Sequence, residues 1–321
     1  SVLSSTLPSS WFTSNSIIDI INNEIVYKDW IYLGPITRFF KDINESHIQY
    51  DFGIKDSRFF ILCEHDENSQ HVSGYLGDYQ TDVITNGKKL DELNQIATQL
   101  TETGLIFINF QRNPKASLFD HFGPVLSSLI NKINFRKLRY KRTLIYTAKY
   151  NFMTFLDGYQ ECLHCSYTHP LLSKNYNLSS YEIKNHKHFS QHIALPDQNN
   201  EIEVENDQTN ALFLYFFPIS TLNIYGGGMN CFRVIPINKN TSRMEIDYYF
   251  DNESVTGPNA DPNSEFEKYF RFCRQVQTED LELCEATQEN LDIGVYQSGT
   301  LNPHKENGVI FYQGLIRDRV V

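Results

Sequence analysis

The residues best equipped for chemistry lie close together. From Asp157 to Pro170 the chain reads Asp157-Gly158-Tyr159-Gln160-Glu161-Cys162-Leu163-His164-Cys165-Ser166-Tyr167-Thr168-His169-Pro170, so two His, two Cys, one Glu and one Asp share fourteen positions. On a helix, Glu161 and His164 are three apart and share a face. His164 and His169 are five apart, about 140° around an ideal helix, so one ion can take both only if the helix ends between them. Pro170 supplies that ending, because the residue before a proline is pushed out of the helical region. Two neutral imidazoles beside a carboxylate suit a divalent metal. Two His plus one carboxylate leave open the positions that non-haem iron(II) uses.

A third ligand has to come from elsewhere, and a helix expected over residues 263–291 offers one. Steps of four and three along it give Phe266, Phe270, Cys273, Gln277, Asp280, Cys284, Thr287 and Leu291, a stripe that is apolar or small apart from Gln277 and Asp280. A carboxylate on an inward stripe is costly to bury unless it is paired or bound to metal, which makes Asp280 the candidate. Other readings stand beside this one. Two His near a helix end can be ordinary packing or capping, and an Asp on a helix is often salt-bridged. Cys162, Cys165 and His169 could be three ligands of a structural zinc site, with no obvious fourth. A thioredoxin-like redox pair fits poorly, because the expected βαβ setting is absent. His186, His188 and His192 fall in a polar stretch and read as surface residues.

The elements that must position these groups can be read from periodicity. Residues 14–30 read as helix, with Ile17, Ile18, Ile21, Ile25 and Val26 at helical spacing. Strand-like runs follow at 30–33, 47–52, 58–63 and 104–110, and the stretch between Glu64 and Thr103 is polar and turn-rich. Arg112 to Ala116 breaks the pattern, so a small β domain is expected over 1–113 and a second domain over 114–321. In the second, 118–133 reads as helix and 143–150, 211–217, 222–225, 230–237 and 243–250 as strands. The long helix then follows Pro262, a favoured place for proline. The expected fold class is α+β, with antiparallel strands and one long late helix.

Composition bounds the rest. With 40% hydrophobic and 21% charged residues in 321, the chain can bury a proper core. The 28 Lys and Arg against 39 Asp and Glu give a net charge of −11, which disfavours nucleic acid as the main partner. No apolar run is long enough for a membrane span, and no signal-peptide pattern opens the chain. Six scattered Cys favour a reducing compartment, so a cytoplasmic or organellar setting is expected. Aromatic residues reach 14%, and such rings build cores or line pockets for apolar or cationic ligands. Tyr225-Gly226-Gly227-Gly228 is too isolated for a phosphate loop, and no dinucleotide motif occurs.

Asn151-Phe152 followed by Asp157-Gly-Tyr-x-Glu161-Cys-x-His164-x4-His169-Pro170 resembles the catalytic core of Rieske-type ring-hydroxylating oxygenase large subunits, especially their choline monooxygenase-like and carnitine-oxygenase-like branch. The run from Gln277 through Asp280 and Cys284 to Gln288 is similar to the segment carrying that family's aspartate ligand. The resemblance extends to Leu7-Pro-Ser-Ser-Trp11, to Asp29-Trp30-Ile-Tyr-Leu-Gly34, and to Phe217-Pro218, Asn223 and Val234-Ile-Pro236. It implies a Rieske-like small β domain followed by a helix-grip catalytic domain. It also implies mononuclear iron(II) on His164, His169 and Asp280, with Asp157 behind the ligands. Glu161 would be the acidic bridge through which electrons arrive from a neighbouring subunit of a homotrimer.

One half of the family pattern is missing. The Rieske cluster takes two Cys and two His, whereas residues 1–161 contain one cysteine, Cys63 in Cys63-Glu64-His65, with His71 as a second imidazole. Cys63 and His65 therefore read as a degenerate remnant, and the [2Fe–2S] cluster is expected to be absent or incomplete. The expected activity is O2-dependent hydroxylation of a small, choline-like quaternary ammonium substrate by a non-haem iron oxidoreductase. Its electrons would come from elsewhere, with a reductase as a partner, whereas an intact paralogue in a mixed ring would partner an impaired form. Phe152, Phe155, Tyr159 and Tyr167 are the aromatic residues near the motif that could hold such a substrate. The alternatives are a catalytically impaired homologue, binding a ligand or serving in a mixed oligomer, and the structural zinc protein.

Overall fold

Alternation of apolar side chains between Trp30 and Phe110 produces an antiparallel sheet of six strands in the computed structural model. Their order is β2 (Ile31–Pro35), β7 (Leu105–Asn109), β6 (Gln95–Leu100), β5 (Gln70–Leu76), β4 (Arg58–His65) and β3 (His47–Asp51). A separate two-stranded ladder pairs β1 (Ser4–Ser5) with β15 (Thr300–Leu301). The structure describes residues 4–40, 45–65, 70–79, 94–196, 212–250 and 260–321. The turn-rich reading of 64–103 is corrected by β5 and β6. Both strands are only partly buried, and their polar outer faces dilute the apolar signal.

The second sheet has seven antiparallel strands, ordered β8 (Arg139–Ala148), β14 (Thr241–Phe250), β13 (Gly228–Asn238), β12 (Ser220–Tyr225), β11 (Leu212–Phe216), β10 (Phe189–Pro196) and β9 (Tyr176–Asn185). The division expected after residue 113 falls between β7 and β8. There the expected helix is two, Leu118–Phe122 and Pro124–Ile130, because Gly123 at φ 88° and Pro124 interrupt it.

The long helix runs over Glu265–Ile293, with the Ser264 side chain accepting from the Glu267 N–H at its start. It buries Phe266, Cys273, Gln277, Cys284 and Leu291 of the expected stripe. Phe266, Cys273, Cys284 and Leu291 join one core with Ile18, Ile21 and Ile25 of the first helical segment and Phe52, Phe59 and Ile61 of the first sheet. A further helix, Asn307–Val320, closes the chain. A Cβ at Gly308 would lie 2.5 Å from the Gln160 carbonyl oxygen, so glycine lets this helix press on the turn that carries the metal motif.

Candidate metal centre and its pocket

Asn151 caps the helix Phe152–Tyr159 by accepting from the Met153 N–H at 3.0 Å, and its amide ties that end to the Phe12 and Lys239 carbonyls. The helix stops at Tyr159, so Glu161 and His164 meet across a turn and not on a helix face. Residues Cys165–Thr168 form one helical turn, His169 leaves it at φ −116° and ψ 76°, and Pro170 starts the next. This break brings the His169 ring back to His164, with centroids 5.2 Å apart.

Asp280 arrives from the long helix. Its Oδ1 lies 3.0 Å from His169 Nε2 and 3.5 Å from His164 Nε2. Donor atoms on one ion with bonds of about 2.1 Å sit about 3.0–3.4 Å apart, so these three groups could hold a single divalent metal. Each ring has a second carboxylate behind it. Glu161 accepts from His164 Nδ1, and Glu279 accepts from His169 Nδ1 at 2.9 Å. Carboxylates so placed fix the tautomer and aim the other nitrogen at the metal. Sequence reasoning missed Glu279, which lies off the inward stripe that carries Asp280.

Without metal, burial opposes the His164 imidazolium, but Asp280 and Glu161 outweigh it and lift its pKa to about 10. His169 is raised by Asp280 and Glu279 against the same opposition. Burial pushes Asp280 up, yet the two imidazoles bring it below the ordinary carboxylate value. Glu161→Gln keeps an acceptor but loses the charge, so metal affinity should fall about 10–100-fold in a cobalt(II) titration. An affinity within twofold of the parent chain would remove Glu161 from this role.

Beside the three groups lies a cavity of about 150 Å³. Phe155 and Tyr159 line it, and Phe152 and Tyr167 do not. Phe152 is wholly buried in the core, and Tyr167 is 90% exposed on the outer side of its short helix. The surface reading of His192 also fails. It is buried on β10 and lines the cavity, with Nδ1 2.6 Å from the Tyr181 hydroxyl and Nε2 2.9 Å from Gln160 Oε1. Burial lowers its pKa to about 3, so it stays neutral.

Asp157 points elsewhere. Its Oδ1 accepts from the Tyr312 hydroxyl and from Gln313 Nε2 at 2.7 Å, tying the motif helix to the C-terminal helix, and no hydrogen bond to His164 or His169 is among its described contacts. Burial raises its pKa from 3.8 to about 7, against those two hydrogen bonds. The folded chain therefore holds this proton more tightly than the unfolded one. The resulting stabilisation is complete below pH 3.8 and is lost as pH rises through about 7. Asp157→Asn cannot ionise, so its stability should gain on the parent by on the order of 1–3 kcal/mol between pH 4 and 8. Parallel urea-unfolding curves for the two chains across that range would refute this.

Residues 135–321 match the family described as ring hydroxylating alpha subunit, catalytic domain. The chain belongs to that family. It is similar to the chloroplastic choline monooxygenase of Atriplex hortensis, 20% identical over 343 residues that cover 95% of this chain and 75% of that protein. It is also similar to the carnitine monooxygenase oxygenase subunit of Acinetobacter baumannii, 23% identical over 227 residues, 66% of this chain and 59% of that one. Among solved structures, a quaternary ammonium Rieske monooxygenase in complex with L-carnitine matches with a TM-score of 0.75 at 17% identity, covering 99% of this chain and 96% of that one. A naphthalene 1,2-dioxygenase from Rhodococcus matches at 0.65 and 12%, covering 98% and 94%. These likenesses establish the fold: an antiparallel helix-and-sheet oxygenase architecture with long late helices.

One further expectation, the structural zinc site, is corrected by the geometry. Cys162 and Cys165 are joined to each other in a disulfide, and in that state they offer no pair of thiolates to a structural zinc ion. Cys63 is a core residue of the β4–β5 hairpin, opposite Val72 and 3% exposed, and not a ligand on a loop. The His65 side chain lies outside the described ones. A Rieske centre takes two Cys and two His, and with one inward-packed cysteine in residues 1–161 the donor set does not fit that group. The mononuclear set does fit, and the impaired reading gains no support from it. Among the described residues, no helix is long and apolar enough to cross a membrane.

Proposed function

We propose that this chain is a mononuclear non-haem iron oxygenase that hydroxylates a small, choline-like organic cation with O2. The observation carrying this reading is the convergence of His164, His169 and Asp280 in the lining of an aromatic pocket. Iron(II) held by those groups would supply open positions for O2 beside the substrate. Glu161 and Glu279 keep the two rings aimed. Tyr159, Tyr181 and Phe232 also line the pocket, and ring faces attract an ammonium group.

Charge narrows the substrate. Among the described residues, no Lys or Arg lines the pocket. A substrate carboxylate would meet no Lys or Arg among the described lining residues, and burying an unpaired charge costs several kcal/mol. The reading is therefore a choline-like cation, not a carnitine-like zwitterion. A homotrimer, which the family resemblance implies, belongs to this reading and is checked by the mass in solution.

Calorimetry without O2 on the iron-loaded chain tests it. Choline should bind at least about tenfold more tightly than L-carnitine, a difference of about 1.4 kcal/mol. Equal or tighter carnitine binding would sink the substrate assignment. Metal analysis should find about one iron per chain, and a chain that retains none would sink the centre.

A further inference from the structure

Cys162 and Cys165 bracket Leu163-His164, and their sulfurs form the disulfide of the site. The other four cysteines, Cys63, Cys231, Cys273 and Cys284, are buried and unbridged. Both bridged residues line the substrate pocket. Cys165 is buried, and its Sγ lies 4.0 Å from His164 Nε2, the nitrogen that faces Asp280. Its sulfur and one ring nitrogen each of His164 and His169 all fall within 4.8 Å of one another. Cys162 is less buried and also lines a second cavity, of about 340 Å³, walled by Leu163, Ser166 and exposed Tyr167. The pair thus stands between the metal-binding groups on one side and a separate surface cavity on the other.

Inserting one atom of O2 into a C–H bond and releasing the other as water takes two electrons and two protons beyond those of the C–H bond. The first sheet lacks the donors for a cluster to deliver them, and a Cys-x-x-Cys pair gives up that number when it closes. We propose that Cys162 and Cys165 are the electron source of this centre, a dithiol that closes to the disulfide once per turnover. This rests on the iron-oxygenase reading above. The balance is substrate plus O2 plus two thiols, giving hydroxylated substrate, water and the disulfide. The O–O bond breaks and an S–S bond forms; one oxygen enters the C–H bond, and the other leaves as water with the two thiol protons. An external dithiol resets the pair by exchange through a mixed disulfide, and is itself oxidised to a disulfide. Cys162 is the sulfur open to that reductant, through the second cavity, and Cys165 is the one beside the metal ligands.

The test begins with the iron-free chain. After equilibration with dithiothreitol, alkylation mapped by mass spectrometry should show Cys162 and Cys165 switching reversibly between bridged and free. A pair that stays bridged overturns the proposal. The reduced chain is then freed of dithiothreitol under anaerobic conditions, loaded with iron(II), its iron content measured, and mixed with choline and O2. The expected result is loss of two thiols per chain with an equal yield of product, and neither in the iron-free chain or in His164→Ala. Thiol loss with peroxide in place of product supports the electron source and overturns choline as substrate. Thiol loss that is independent of iron overturns the proposal, as does a Cys162→Ser, Cys165→Ser chain whose product yield stays within twofold of the parent. A parent chain that takes up no iron overturns the oxygenase reading and the electron source with it.

Discussion

Arg233→Met should destabilise the chain by about 3–5 kcal/mol, the usual effect of removing one partner from a buried ion network. Arg233 lies on β13 and is fully buried. Its guanidinium donates to Asp247 Oδ2 at 2.7 Å, Glu245 Oε2 at 3.1 Å, the Tyr50 hydroxyl at 3.1 Å and the Leu33 carbonyl. The first two partners are on β14 and the last two come from the first sheet, so one side chain joins the two sheets. Burial alone would push the Asp247 carboxyl up, but Arg233, Arg38 and Thr143 keep it below its ordinary value and therefore charged. Methionine fills much of the space and satisfies none of these groups, leaving two carboxylates in the interior with one arginine neighbour each: Arg38 for Asp247 and Arg243 for Glu245. Replacing Arg233, Glu245 and Asp247 together by apolar residues should recover most of the loss, because buried ion networks are often no more stable than well-packed hydrophobic ones. Urea unfolding followed by fluorescence measures both. A single-variant loss below about 1 kcal/mol would show that the network contributes little.

How far the site was legible from the residues depends on how local its determinants are. Pro170 pushes His169 out of the helical region and so ends the turn Cys165–Thr168, a local effect that brings His169 back to His164. Asp280 was visible because a carboxylate interrupts an otherwise apolar or small stripe of a long helix. Glu279 was not, because it sits about 100° around that helix, off the stripe, and only the turn that brings in His169 gives it a partner. The pocket wall was hidden for a stronger reason. His192, Phe213, Asn223 and Asn230 form one row across β10, β11, β12 and β13, set by the registers His192 to Phe213, Phe213 to Asn223 and Asn223 to Asn230. Shifting any of these strands by one residue would turn its member of the row to the other face, and no local pattern records the register. β9 escaped notice because Ser179, Ser180, Glu182 and Lys184 dilute its alternation, yet it brings Tyr181 to His192. The two misplaced aromatic residues have the same origin: proximity in sequence to the motif put Phe152 and Tyr167 on the list, and the helix faces on which they sit took them off it.

Asp280→Ala is expected to lower iron affinity by more than about 100-fold, beyond the 10–100-fold range of residues that only support a ligand. Its Oδ1 is the one carboxylate oxygen described within reach of Nε2 on both rings, at 3.0 and 3.5 Å. Glu161 and Glu279 hold the far nitrogens and so cannot take its place without releasing the rings. The variant keeps two aimed imidazoles and loses the charge that offsets a divalent ion. Glu279→Gln should fall between the variant and the parent. This ordering separates a metal centre from a cluster of structural ion pairs. If the His and carboxylate groups served only one another, removing Asp280 would lower stability in the iron-free chain, while adding a chelator to the parent would change nothing. If they hold iron, the chelator lowers the parent's unfolding midpoint and leaves that of Asp280→Ala where it was, because binding to the folded state alone stabilises it by mass action. Metal content by elemental analysis and unfolding with and without chelator read the two cases apart. A parent chain whose midpoint ignores the chelator, or an Asp280→Ala chain that keeps its iron, would leave His164 and His169 as a buried ion pair with their acids.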